Sequence, residues 1–310
     1  MSTEFLAFAR ACGLDITHIP ALDRIVRVPT FNKPSKRNGA LLLRSDGNGW
    51  CIAYDQGGEL NWFNDPRGRK EWTEEEKRRW INQKRAQELE TARKHQRAAE
   101  QAQAMMASCT VGQSGYLSRK GFPDKRALIL PDGGTFVPMR DLFTNEMKGA
   151  QVIRWIEDER RWEKKFTFGT NPKLAVLRLG PAGPVASILC EGLATAYSIE
   201  AAALQMRLTC AVLVCFSAGN IIKVAKALEN APYDRCVLAD HDPPHPREVE
   251  KMGRGEEFEP RGAGELAAIE TGLAYTMPAE CGMDVNDVHQ KRGLLAACKL
   301  VMDAVRAARK

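Results

Sequence analysis

The sequence predicts an α/β protein: a parallel sheet with helices on both faces at the C-terminus, preceded by a small basic α+β subdomain, a long helix and an N-terminal α+β module. Three observations predict it. From about residue 181, apolar runs alternate with helical patterns: "VASILC", "GLATAYSIEAAALQM", "CAVLVCF", "AGNIIKVAKALEN", "DRCVLAD". Strands that alternate with helices in this way build a parallel sheet. Residues 71–107 contain no Gly or Pro and are dominated by Glu, Lys, Arg, Gln and Ala. Residues 1–70 alternate short apolar runs with Gly, Asn and Asp turns.

Taken in order, "FLAFARACGL" has apolar residues at helical spacing and a glycine near its end, which predicts a first helix. The stretch from "RIVRVP" to "ELNWF" then predicts a small antiparallel sheet. Arg24, Arg27, Lys33, Lys36, Arg37 and Arg44 interleave here with Trp50, Tyr54, Trp62 and Phe63. Cations beside rings suit a single-stranded nucleic acid, with phosphates held by charge and bases stacked on aromatics. A half-exposed sheet with solvated lysines is the plainer alternative. The segment 71–107 reads as one long solvated spacer helix, opened by a capping box from Thr73 to Glu76 and supported by i,i+4 charge pairs. Residues 108–180 hold "GYLSRKGF", "ALILPDGGTFVPMRD", "QVIRWIEDERRWEKKFTFG" and "LAVLRLG", which read as short strands with Gly turns. Residues 181–310 form the parallel α/β domain, including "AGELAAIETG" as a helix, "AYTMP" as a short strand and "LLAACKLVMDAVRAARK" as the last helix.

Bulk numbers narrow the function classes. The chain has 310 residues, 44% hydrophobic and 27% charged, with a formal net charge of +6. This is the composition of a globular protein, and its mild basic excess permits a polyanionic partner. No apolar run reaches the length of a membrane span, so no membrane partner is expected. The N-terminus is charged early and has no apolar signal core, so export is not expected. Nine cysteines at scattered positions, with no Cys-x-x-Cys, read as reduced buried thiols of a cytoplasmic protein. A zinc ribbon is not expected.

The acidic residues fall in a pattern. In an open parallel sheet, ligands sit outside the carboxyl ends of the strands. Glu191 follows "VASILC", Asp240 ends "DRCVLAD", and Asp242 lies two residues on. In extended backbone, i and i+2 share a face, so Asp240 and Asp242 point one way and His241 the other. A further cluster, Asp284, Asn286 and Asp287, follows "AYTMP" after a loop. Ionised carboxylates about 4 Å apart repel by roughly 4 kcal/mol at an effective dielectric near 20. All-oxygen ligation of that charge suits Mg²⁺ or Mn²⁺. His241 and His245 suggest zinc, but no thiolate or third imidazole is near in sequence, so zinc is not expected. A solvated acidic turn is the alternative for "ADHD" alone; Glu191 at an equivalent strand end shifts the balance toward a metal site.

The series "ILCEGLATAYSI", "FSAGN", "VLADHD" and "MDVNDVHQKRG" resembles the Toprim domain of DNA primases carried by bacteriophages and plasmids. Its signature is a Glu-Gly after the first strand and an Asp-x-Asp after the third, matched by Glu191-Gly192 and Asp240-His241-Asp242. Upstream, "SGYLSRKGF" and "FVPMRD" resemble the basic subdomain before that domain, and "RVPTFNKPSKRNGALLLRSDG" the module that opens such proteins. The resemblance implies a Toprim-like Rossmannoid sheet and Mg²⁺- or Mn²⁺-dependent nucleotidyl transfer, making short RNA primers from ribonucleoside triphosphates on a single-stranded DNA template. It implies that Glu191, Asp240 and Asp242 hold the metal and that Asp284 and Asp287 complete its shell. It also implies that Lys120, Arg140, Lys164, Lys165 and Asn220 contact nucleotide or DNA. Gly192 would leave room for phosphates, or would only ease a strand-to-helix turn.

The chain departs from the family in three ways. Thr195 stands where replicative primases often carry an acid. The N-terminal module lacks Cys/His zinc ligands. No Gly-x4-Gly-Lys-Ser/Thr is present, so no fused helicase motor is expected, and a separate replicative helicase is one candidate partner. A Toprim nuclease, and a non-catalytic DNA- or partner-binding protein of the same fold, are the competing expectations; a topoisomerase ranks below both.

Overall fold

A computed structural model describes residues 3–19, 21–55, 58–64, 73–181, 186–245 and 260–309. They divide into two units, one made chiefly of residues up to Gln87 and the other of Glu88–Pro244 with Glu259–Lys310. In the first unit, helix α1 (Thr3–Ala11) packs on strands β1 (Val26–Val28), β2 (Gly39–Leu43), β3 (Gly49–Ala53) and β4 (Asn61–Phe63). These strands are antiparallel and adjacent in chain order, as the turn-rich sequence predicts. Period-two alternation sorts the faces. Leu41, Leu43, Cys51 and Ala53 face Phe5 and Ala9 of α1, while Trp50, Ile52 and Trp62 are more exposed. Gly49 lets α1 lie close to β3: a Cβ there would lie 2.8 Å from the Phe5 ring and 2.4 Å from Leu42 O.

Helix α2 (Glu74–Ala107) has 34 residues, and ion pairs such as Lys77–Glu74 and Arg79–Glu75 lie along its exposed start. The Glu76 side chain, and with it the expected capping box, lies outside the described residues. The helix is more than a solvated spacer. Toward its C-terminus, Ala98 and Ala102 are fully buried, and Met105 and Met106 pack against Leu130, Phe136, Met147 and Val152. Alanines one turn apart let the helix lie close to the strands beneath it.

The second unit is built on one ten-stranded mixed sheet. Its strands are β5 (Thr110–Gln113), β6 (Arg126–Ile129), β7 (Thr135–Asp141), β8 (Met147–Ile156), β9 (Arg161–Phe166), β10 (Ala175–Leu179), β11 (Ala186–Cys190), β12 (Cys210–Val214), β13 (Asp234–Leu238) and β14 (Ala274–Thr276). The order along the sheet is β14-β13-β11-β12-β10-β7-β6-β5, and β8 joins β7 to β9. β10 runs antiparallel to both β7 and β12. The expected boundary at residue 180 is therefore not a seam, because the basic strands and the parallel strands share one hydrogen-bonded sheet. "GYLSRKGF" also differs from the expected strand. Gly115–Arg119 forms a short helix, α3, whose N-cap Ser114 accepts a hydrogen bond from the Leu117 N–H at 3.2 Å.

Helices α4 (Leu193–Gln205), α5 (Ala218–Ala227), α6 (Ala263–Thr271), α7 (Val285–Arg292) and α8 (Leu294–Ala308) complete the unit. β11 and β12 are buried on both faces along their length and β13 over its last three residues, and their side chains alternate between two cores. Ile188, Cys190, Val212, Val214, Cys236 and Leu238 meet α4 and α8; Leu189, Leu213, Cys215, Val237 and Ala239 meet α5 and α6. The chain enters at β11, crosses to β12 on one side, then passes back to β13 and β14 on the other. Connections leave β11 and β13 in opposite directions, so the topological switch point of the sheet lies between these two strands.

Ile188 is fully buried between β12, β13 and the α4 layer, whereas Leu204 at the end of α4 is 69% exposed. Urea unfolding is expected to show Ile188→Ala destabilised by about 2–5 kcal/mol. Leu204→Ala should stay within about 0.5 kcal/mol of the parent. Equal effects at the two positions would contradict the two-core arrangement.

Candidate functional site

The switch point carries the predicted acids. Glu191 directly follows β11, and Asp240 lies two residues beyond β13, the strand next to it. Local hydrogen bonds set the positions of both segments. Cys215 N–H and Phe216 N–H donate to the carbonyls of Cys190 and Glu191, at 2.8 and 3.0 Å, joining the ends of β11 and β12. His241 N–H donates to Met283 O at 3.0 Å, and Gly282 N–H to His241 O at 2.6 Å, joining the Asp240–Asp242 segment to the loop before α7. The His241 ring turns aside as predicted, its Nδ1 lying 2.8 Å from Pro278 O.

Four of the five carboxylates accept backbone N–H groups at helix N-termini. Glu191 accepts from the Ala218 N–H at the start of α5. Asp242 Oδ2 accepts from the Gly264 N–H in the first turn of α6, at 2.9 Å. Asp284 Oδ1 accepts from the Asp287 N–H of α7 at 2.8 Å, and Asp287 Oδ2 accepts from the Asp284 N–H at 3.2 Å, a reciprocal capping box. Free N–H groups and the helix dipole make these termini favourable seats for negative charge.

Asp240 has no such partner. Its Oδ1 is buried and makes no hydrogen bond. Burial first, then the charges of Asp284, Glu191 and Asp242, push its carboxyl up to about 8, against the pull of Lys164. Glu191 is also raised, by burial and then by Asp242, with Lys164 and the Ala218 N–H opposing. Beneath them the Cys190 thiol is fully buried and pushed well up by burial, so it is neutral. Two glycines let α6 approach this edge. A Cβ on Gly264 would lie 2.4 Å from Asp240 O, and one on Gly262 would lie 2.3 Å from Asp242 O.

Among the described residues, no group of three or more His, Cys, Asp or Glu side chains is arranged to hold a metal ion. The acids are within electrostatic reach of one another without forming a ligand cage. The donor chemistry still fits a hard divalent cation: the acids offer only oxygen, and one of those oxygens is buried with no partner.

The structure divides the predicted cations. Lys164 acts on Glu191 and Asp240, and Lys120 Nζ lies 3.8 Å from Asp287 Oδ1. Arg140 is not brought to this edge. Its guanidinium donates to Asn145 O at 3.0 Å and lies 3.6 Å from Met106 Sδ, tying the β7–β8 turn to α2. Lys165 points to the opposite face of β9 from Lys164 and pairs with Glu163 at 2.8 Å. Asn220 also departs from its expected nucleotide contact. It is buried, accepts from Leu174 N–H, and donates to Ala175 O and Cys215 O. With its amide fully engaged, it locks α5 to β10. Gly192 has an ordinary φ of −104°, and a Cβ there would meet only Thr195 Oγ1, at 3.5 Å. The fold itself does not demand glycine at this position.

Sequence reasoning missed Tyr116 and Trp162. Tyr116 on α3 is 1% exposed, and its hydroxyl has no hydrogen-bond partner. Burial pushes that hydroxyl up to about 12, and it also feels the charges of Lys120, Asp284, Asp240 and Asp287. Lys164 Nζ lies 5.5 Å from the Tyr116 ring centre, and the Trp162 ring packs edge-on against it. Tyr116 Oη, Trp162 Nε1, Thr195 Oγ1 and Asp240 Oδ1 are four of six unpaired buried side-chain polar atoms among the described residues. Unpaired buried polar atoms are rare in folded proteins, and Tyr116 and Asp240, two of these groups, act on one another electrostatically. The "Tyr-x-x-x-Lys" spacing across α3 was its only sequence signal. Compared with protein-family models, with curated proteins and with solved structures, the chain matches none.

The raised Asp240 gives a pH test. Folded Asp240 keeps a proton up to about pH 8, whereas an unfolded aspartate releases it near 3.9. Between these values the folded state binds the extra proton, so stability falls as pH rises, by up to about 1.4 kcal/mol per pH unit from this residue. In EDTA, Asp240→Asn is expected to remove this contribution and flatten the profile from pH 5 to 8. Identical urea-unfolding profiles for parent and variant would refute a buried protonated Asp240.

Proposed function

We propose that the chain is a metal-dependent nucleotidyltransferase with a Toprim-type core, a primase that makes short RNA primers on single-stranded DNA. The observation that carries the reading is the placement of Glu191 and Asp240 just past the ends of adjacent parallel strands at the switch point of the sheet, with Asp240 Oδ1 buried and unpaired. Glu191, Asp240 and Asp242 would hold Mg²⁺ or Mn²⁺. Asp284 and Asp287, each with one oxygen engaged in the capping box, would support the shell. A bound divalent cation supplies charge neutralisation at the triphosphate and orientation of the attacking 3′-hydroxyl.

The chain's own groups account for the rest. Asp240, a neutral acid while unpaired, would act as a ligand in its ionised form and give up its proton on doing so. Lys164 and Lys120 lie where they would offset phosphate charge. The bare Cα of Gly192 leaves the start of α4 open to a phosphate, with Leu193 and Ala194 N–H groups among the free donors of that helix end. No described helix is long and apolar enough to cross a membrane.

The test is synthesis of short labelled oligonucleotides from ribonucleoside triphosphates and Mg²⁺ on single-stranded templates. Glu191→Gln, Asp240→Asn and Asp242→Asn should each lower the rate at least about a hundredfold, the loss of roughly 3 kcal/mol of transition-state stabilisation. Cleavage of DNA without nucleotides would replace the reading by a nuclease, and absence of Mg²⁺ binding by calorimetry would replace it by a non-catalytic protein.

Gly192 gives an independent check. Because its φ and surroundings accept a Cβ, Gly192→Ala should leave stability unchanged or raise it by about 0.4–1 kcal/mol. If phosphates occupy that position, the same variant loses primer synthesis; a fully active Gly192→Ala would remove the glycine from the site.

A further inference from the structure

Beside the acidic edge, β9 ends in a turn that displays two phenylalanines. Phe166 is 39% exposed and Phe168 is 82% exposed. An isolated exposed apolar residue is ordinary; a rigid, deliberately supported one is not. Thr167 N–H donates to Ala150 O, and Ala150 N–H donates to Thr167 Oγ1, which lies 2.8 Å from Thr170 Oγ1. Thr170 packs over Gly149 so closely that a Cβ there would lie 2.1 Å from Thr170 Oγ1. Gly169, at φ +81°, seats the turn against Lys94 and Ala98 of α2. These contacts fix the turn at both ends and leave the Phe168 ring in solvent.

The turn is tied to the acids through its neighbours. The Phe166 ring meets Phe216 edge-on, with centroids 6.3 Å apart. Phe216 is the residue whose N–H holds the Glu191 carbonyl, and it does so at φ +64°, a left-handed conformation that is costly for a bulky side chain. Lys164, on the same face of β9 as Phe166, acts on Glu191 and Asp240. Lys94 Nζ lies 4.8 Å from the Phe168 ring centre. The turn thus combines flat apolar rings with two ammonium groups, next to the Glu191–Asp240 edge.

We propose that Phe168, backed by Phe166 and Lys94, is a stacking subsite for a nucleobase of a single-stranded nucleic acid whose backbone runs along the Glu191–Asp240 edge. It rests on the reading that this edge acts on nucleic acid. A ring offers its face to any base, so the subsite is tolerant of sequence, and the lysines supply attraction to the flanking phosphates.

The experiment is fluorescence anisotropy of a labelled dT oligonucleotide of about 16 nucleotides with the full chain in EDTA. Phe168→Ala should weaken binding about tenfold, within the range seen for loss of one base–aromatic stack. Phe168→Trp should bind as the parent does, with added tryptophan quenching on binding. On an abasic oligonucleotide, parent and Phe168→Ala should bind alike. Unchanged dT affinity in Phe168→Ala, an equal loss on the abasic strand, or a parent that binds no single strand overturns the subsite. The two readings fail separately. If Phe168→Ala weakens binding but no primers form with Mg²⁺, the subsite stands and nucleotidyl transfer falls. If Glu191→Gln abolishes primer synthesis while Phe168→Ala binds normally, the reverse holds.

Discussion

Negative charge held against helix N-termini is the constraint on which the second unit depends. Glu191, Asp242 and Asp284 would repel one another at the edge of any sheet. Here the backbone N–H groups that open α5, α6 and α7 receive them. The arrangement couples distant parts of the chain, since the acid after β11 is held by the helix after β12. Asp240, placed between them without a donor, is left with protonation as its remedy. The edge thus holds its carboxylates unequally: Glu191, Asp242, Asp284 and Asp287 have backbone donors, and Asp240 has none.

The sheet explains how positive charge reaches this edge. Because β10 joins the antiparallel strands to the parallel ones, β9 and α3 are rigidly related to β11 and β13 within one unit. Aromatic packing then directs the cations. Arg119 lies over Trp155, Trp155 packs on Trp162, Trp162 on Tyr116, and Lys164 lies over Tyr116. Attraction of a cation to a ring face offsets part of the entropy lost in holding a long side chain in place. A separate basic domain could not hold Lys164 in this relation to Glu191.

Much of this was legible in the sequence. The parallel strands were, because residues buried on both faces leave continuous apolar runs. Glu191, Asp240 and the turning aside of His241 were also legible, since they follow from strand ends and period-two alternation. Tyr116 was not, because a one-turn helix capped by Ser114 has too few residues to show a period. The capping box of Asp284 and Asp287 was read only as acidity, although Asp-x-x-Asp before Val288 carries the signal of a helix start. Arg140 and Asn220 show why the cations and amides are harder to place: composition counts such a group as available, and only packing shows Arg140 held by Asn145 O and Asn220 by Leu174, Ala175 and Cys215.

By itself the sequence determined the fold class, the element order through the parallel strands and the acids that end those strands, because these depend on local periodicity and on which residues can be buried. The tertiary structure alone decided that the basic strands and the parallel strands are one sheet. It decided which cations face the carboxylates, and that Asp240 is the acid left without a donor. Those outcomes depend on pairings between residues far apart in the chain, on the handedness of crossovers and on the direction of each helix dipole, none of which leaves a periodic trace in the sequence.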